Sequence, residues 1–154
     1  MSAAVDIHTR PPESAVVTDI TTDHAHIGEA FDEAFHSLVD YLGNQGIQPA
    51  GPGFAVYHEV TSNAPWRATV GFPVQQPGPG TEAIHAGELP GGKVAVIVHE
   101  GPYEGLAQTW TELGEWLRTH NVKSAGAPWE SYVVDDSTDP EPEHWRTEIV
   151  WPVS

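Results

Sequence analysis

Residues 145–153, Trp145-Arg146-Thr147-Glu148-Ile149-Val150-Trp151-Pro152-Val153, read as a β-strand whose alternation frames everything else in the sequence. Successive side chains of a strand point to opposite faces. Thr147, Ile149 and Trp151 therefore share one face, the natural core face, and Arg146, Glu148 and Val150 share the other. Glu148 stands mid-strand and points away from the expected core. A carboxylate in that position is either solvated, which discourages edge aggregation, or it lines a pocket.

Working outward, the same frame occurs once before. A shift of 79 positions carries Trp66-Arg67 onto Trp145-Arg146, Val70 onto Ile149, and Phe72-Pro73-Val74 onto Trp151-Pro152-Val153. Upstream, a shift of 75 carries Phe31, Phe35, Leu38 and Leu42 onto Leu106, Trp110, Leu113 and Leu117. Both sets are apolar stripes at helical spacing, and they predict helices over residues 26–44 and 103–120. Asp23 is placed to cap the first. The helices stop at Gly46-Ile47 and Asn121-Val122, pairs suited to a left-handed cap with a trailing apolar contact. The same shift pairs Ala50-Gly51 with Ala125-Gly126, Phe54 with Trp129, and Tyr57 with Tyr132. The change from 75 to 79 marks an insertion around Ser137 to Glu143.

Strands are expected at 4–8, 15–20, 54–60, 66–74, 129–135 and 145–153. A hairpin is expected from 82–88 and 93–100, turning at Pro90-Gly91-Gly92. Arg10-Pro11-Pro12 reads as a strand break, and residues 75–80 read as a linker. The chain is thus one unit written twice, strand–strand–helix–strand–strand, with repeat one at about residues 1–76 and repeat two at about 81–154. Such units expect an α+β fold, an antiparallel sheet with both helices on one face. A cleft is expected where the halves meet. Glu148 falls opposite Thr69 of the first repeat, so one half carries a carboxylate that the other lacks.

Composition narrows the class. With 154 residues, 15 Gly and 14 Pro, the chain suits a single turn-rich domain. Lys and Arg number 6 against 22 Asp and Glu, a formal charge of -16. That balance argues against nucleic acid, which needs a basic face, and agrees with cationic ligands. No apolar run is long enough for a membrane span, and no signal pattern opens the chain. Without cysteine there is no disulfide, thiol nucleophile or thiolate metal site. A cytoplasmic protein with no cofactor is expected. Nine His invite a metal, but the densest cluster, Asp23-His24-Ala25-His26, shows no third ligand nearby. No metal is expected.

Three stretches together carry a family resemblance: residues 96–106 (Val-Ile-Val-His-Glu-Gly-Pro-Tyr-Glu-Gly-Leu), residues 127–132 (Ala-Pro-Trp-Glu-Ser-Tyr), and the strand at 145–153. The chain resembles the GyrI-like small-molecule-binding domain, which also forms the effector-binding part of some multidrug-responsive transcription activators. The resemblance covers nearly the whole chain as a single domain. It implies tandem strand–helix–strand–strand repeats around a central cleft. It also implies a last-strand glutamate facing cationic aromatic drugs, a place that Glu148 matches. Some free-standing relatives are similar in fold yet hydrolyse electrophilic, cyclopropane-bearing natural products. No helix-turn-helix is present in the sequence, so direct transcriptional control is not expected.

Two functions follow as expectations. In the first, the protein binds a hydrophobic or cationic aromatic small molecule. Glu148 is the counter-charge, and Trp129, Phe54, Tyr57, Tyr132 and Tyr103 are candidate ring contacts. In the second, Glu148 acts as general base on a water that attacks an electrophilic carbon, with Tyr132 or His99 polarising the leaving side. Trp129 and Phe54 have a plainer reading as core packing, and His99 has one as a hydrogen-bonded structural residue. Trp110 is assigned to the helix core because it lies on the apolar stripe. The acidic run Asp135, Asp136, Asp139, Glu141 and Glu143 reads as a solvated turn.

Overall fold

The computed structural model describes residues 4–59, 66–135 and 138–154. Val60, the last residue of one expected strand, and Asp136 and Ser137 of the acidic turn and insertion, lie outside the described residues. The elements in order are β1 (Asp6–Arg10), β2 (Glu13–Thr22), α1 (Ile27–Gln45), β3 (Phe54–Glu59), β4 (Trp66–Pro73), β5 (His85–Leu89), β6 (Gly92–Glu100), α2 (Leu106–Thr119), β7 (Trp129–Val134) and β8 (Arg146–Pro152). Single 3-10 turns occur at His24–His26, Tyr103–Gly105 and Pro142–His144. The described pairings are antiparallel, and the fold is α+β as expected.

The chain forms two compact units. One is contiguous, Pro11–Gly91, with strand order β3-β4-β2-β5. The other joins Met1–Arg10 to Gly92–Ser154, with strand order β1-β6-β8-β7. The expected hairpin of 82–88 with 93–100 is therefore corrected. β5 pairs with β2, Leu89 opposite Glu13, and β6 pairs with β1 and β8. The physical reason is local. Only Pro90-Gly91 separates β5 from β6, and the favoured two-residue hairpin turns need positive φ at their first residue. Proline fixes φ near −65°, so Pro90 cannot make that turn, and Pro11-Pro12 between β1 and β2 is barred in the same way.

The helix ends repeat in the two units. Gly46 takes φ 66° and Ile47 N–H donates to the Leu42 carbonyl at 2.9 Å. Asn121 takes φ 55° and Val122 N–H donates to the Leu117 carbonyl, also at 2.9 Å. These bonds satisfy carbonyls that a helix end otherwise leaves open. At the start of α1, Asp23 accepts from His26 N–H at 3.0 Å and contacts His26 Nδ1 at 2.6 Å. That side-chain hydrogen bond raises the pKa of His26 and lowers that of Asp23.

The His26 contribution is present below the ordinary imidazole value of 6.5 and is lost as pH rises through its raised folded value. The Asp23 contribution is present above the ordinary carboxyl value of 3.8 and is lost as pH falls through its lowered folded value. The cap is tightest between the two. An NMR titration should find His26 above the ordinary imidazole value and returned toward it in Asp23→Asn. An unchanged midpoint in that variant would refute the pairing.

In the discontinuous unit α2 packs Leu113 and Leu117 on Ala95, Ile97, Ile149 and Val153, all buried. Ile149 and Trp151 thus take the core face expected of them. In the contiguous unit α1 buries Leu38, Tyr41 and Leu42, and Tyr41 also pins the linker, its hydroxyl donating to the Pro77 carbonyl at 2.7 Å and accepting from Gly80 N–H at 2.9 Å. On the face of β4 away from α1, Gly71 leaves room for Phe54 and Val17. A Cβ built there would lie 2.9 Å from the Phe54 ring and 2.7 Å from Val17 Cγ1.

Candidate functional site

Strand register sorts the candidate residues. Opposite β8, Glu130 pairs with Ile149 and Tyr132 with Thr147, so both sit on the face that α2 covers. Trp129 pairs with Val150 and Ser131 with Glu148, on the other face. Tyr132 and Glu148, expected to work together, belong to opposite sides of one sheet.

On the α2 side a buried carboxylate is the centre. Glu130 is 3% exposed. The Trp110 indole N–H donates to Oε2 at 2.6 Å and the Tyr132 hydroxyl donates to Oε1 at 2.7 Å. A buried carboxylate without such donors would be strongly unfavourable, and charge-assisted bonds of this kind are the stronger sort. Rings gather around it. Tyr132 meets Tyr103 edge-on at a centroid distance of 6.1 Å, and Tyr103 leans on Trp145 at 5.1 Å. Trp110 meets Trp151 edge-on at 5.9 Å. Tyr103 is 40% exposed, so the cluster reaches the surface through that ring. A negative charge among aromatic faces, in a low-dielectric setting, suits a cation that also offers apolar surface.

His99 lies on the same face but is engaged at both nitrogens. Nδ1 is 2.7 Å from the Thr109 hydroxyl, and Nε2 is 2.8 Å from the Pro102 carbonyl. It ties the end of β6 to the first turn of α2. Between His99 and Tyr132, Thr147 is wholly buried, and among the described residues its hydroxyl has no hydrogen-bond partner.

On the opposite face Glu148 is half-buried and ion-paired, with Arg10 Nη2 3.0 Å from Oε1. Trp129 is buried on that face. Phe54 and Tyr57 belong to the contiguous unit. Phe54 is buried on Gly71, while Tyr57 faces α1 and tilts against Phe31 at 6.0 Å. The structure therefore brings Tyr103 and Tyr132 together, and groups Glu148 with Trp129. Reasoning from sequence missed Glu130, the role of Trp110 as its donor, and Arg10. The signal for Glu130 was available, since Glu130 and Tyr132 are two apart on a strand and Trp129 and Tyr132 are three apart. Among the described residues no cluster of three or more His, Asp or Glu is placed to hold a metal, and no helix is long and apolar enough to cross a membrane.

Comparison with known proteins bears on this arrangement. The profile described as GyrI-like small molecule binding domain matches residues 3–154. No curated protein matches the sequence. Among solved structures, the EcmrR C-terminal domain is similar with a TM-score of 0.82 at 18% identity, covering 100% of this chain and 99% of that one. In the EcmrR–DNA complex the TM-score is 0.86, and this chain spans 58% of the EcmrR chain. SAV2435 bound to tetraphenylphosphonium is similar with a TM-score of 0.72 at 14% identity, covering 98% of this chain and 94% of that one. A hydrolase from Listeria innocua gives 0.66 at 16% identity, covering 99% and 93%. At these identities the likeness is one of fold.

Proposed function

Because this chain belongs to the GyrI-like small molecule binding domain family, we propose that it binds a cationic aromatic molecule with Glu130 as the principal counter-charge. The observation that carries this reading is the buried Glu130 carboxylate held by Trp110 and Tyr132 beneath a ring cluster that opens at Tyr103. Ring faces of Tyr103, Tyr132 and Trp145 attract a delocalised cation by about 0.5–2 kcal/mol each, depending on how dry the contact is. The carboxylate adds a long-range attraction that a neutral ligand does not feel. SAV2435, a neighbour in fold, was solved with tetraphenylphosphonium, a cation of this class, which makes it the natural probe.

Glu148, the counter-charge expected from sequence, lies on the opposite face of the sheet from Glu130 and reaches a ligand held there only through its field. Its guanidinium partner offsets that field, so its share is smaller. Glu148→Gln should weaken tetraphenylphosphonium binding by no more than about fivefold, the scale of a partly exposed pair worth about 0.2–1 kcal/mol. Titration calorimetry checks this, and a loss as large as that caused by changing Glu130 would return the principal role to Glu148.

The hydrolase alternative shares the same residues. It needs a carboxylate oxygen free to take a proton from water. Both oxygens of Glu130 already accept short hydrogen bonds, and Glu148 already meets Arg10. Binding without turnover is therefore the better-supported reading. Mass spectrometry of an electrophilic cyclopropane compound recovered after incubation separates the two, since hydrolysis adds the mass of water.

A further inference from the structure

Asp6, His8 and Arg10 alternate along the edge strand β1 and so line up on one face, the face that also carries Glu148. Their contacts form a continuous relay. His8 Nδ1 is 2.6 Å from Asp6 Oδ2, Arg10 Nε donates to His8 Nε2 at 2.8 Å, and Arg10 Nη2 reaches Glu148 Oε1 at 3.0 Å. The middle contact dictates the state of the ring. Arginine has only donors, so His8 Nε2 must present a lone pair, and the one ring proton must sit on Nδ1, donated to Asp6. Only a neutral imidazole in that tautomer satisfies both neighbours.

We propose that His8 is a proton-operated latch on Glu148. While neutral, it steers the Arg10 guanidinium onto the carboxylate. A proton taken from solvent at Nε2 replaces the lone pair with a second N–H and a positive charge. That N–H then faces the N–H of Arg10, and the guanidinium leaves. His8 stays with Asp6, as an ion pair.

The surroundings offer little to oppose this. On β6, the described partner of β1, Val94 lies opposite His8 and Val96 opposite Asp6, both apolar and buried. Lys93 lies opposite Thr9, on the other face. From β8 come Glu148 itself and Arg146, whose Nε is 3.8 Å from Glu100. Loss of the guanidinium leaves the Glu148 carboxylate open to a small organic cation in its place. This goes beyond the reading of Glu130 and does not depend on it.

The test is heteronuclear NMR of the ligand-free protein. At neutral pH, His8 should show the Nδ1–H tautomer. On acidification the Arg10 Nε–H and Glu148 side-chain resonances should shift in step with His8. In His8→Gln, whose amide can accept from Arg10 and donate to Asp6 without titrating, that shift should be lost. In His8→Lys the two resonances should sit at their acid positions throughout. The Nε2–H tautomer in the wild type would overturn the latch, and that measurement needs no variant to fold. So would Arg10 and Glu148 shifts that are the same with and without His8.

Discussion

Glu130→Gln should weaken the binding of tetraphenylphosphonium roughly 10- to 100-fold, the scale set by about 1.5–3 kcal/mol for interactions of a charged group in a buried site. The variant should remain folded, for a reason visible in the donors. The glutamine carbonyl can accept from Trp110, which can only donate, while its NH2 donates to Tyr132, whose hydroxyl can also accept. Trp110 and Tyr132 thus each keep a partner on the glutamine side chain. A neutral aromatic compound of similar size should bind the variant about as well as the wild type. Calorimetry with both ligands decides the matter, and equal losses for the two would point to a damaged pocket in place of a missing charge.

Gly71→Ala should cost about 3 kcal/mol of stability, the upper part of what overpacking usually costs. The new methyl would lie 2.7 Å from Val17 Cγ1 and 2.9 Å from the Phe54 ring, and closer still to the Val16 carbonyl oxygen. The side chains can turn aside but the backbone carbonyl cannot. Phe54→Leu in the same protein should therefore recover only a part of the loss. Urea denaturation measures both, with an unchanged slope marking a true stability effect. A neutral Gly71→Ala would mean that β2 and β4 can separate without penalty.

Much of the fold was legible because its signals are local. The stripe Phe31, Phe35, Leu38, Leu42 and its copy specify the helices, and Gly46 and Asn121 adopt the left-handed caps their side chains allow. What was not legible is which strands become neighbours. β1 and β5 each pair with a strand distant in sequence, and only the negative signal, a proline where a tight turn needs positive φ, warned against the hairpin. Arg10 was hidden for a related reason. Read as the start of a break, it is instead the last residue of β1 and the partner of Glu148. At the site, Glu130 is hard to read because the rings of Trp129 and Tyr132 flank it in sequence. The strand period puts a carboxylate and Tyr132 on one side, but nothing in the sequence says that Trp110 will arrive above them.

The split of one unit around the other has a consequence for synthesis. Residues 11–91 emerge as an uninterrupted run that contains every strand of its own unit, so that unit can close while the ribosome is still at work. β1 has no such opportunity. Asp6 must wait for Val96, so β1 is seated only after β6 has been made. In the interval it is an unpaired edge with two open rows of hydrogen-bonding groups. Its alternating Asp6, His8 and Arg10 keep that waiting strand hydrated and poorly suited to pairing with another nascent chain.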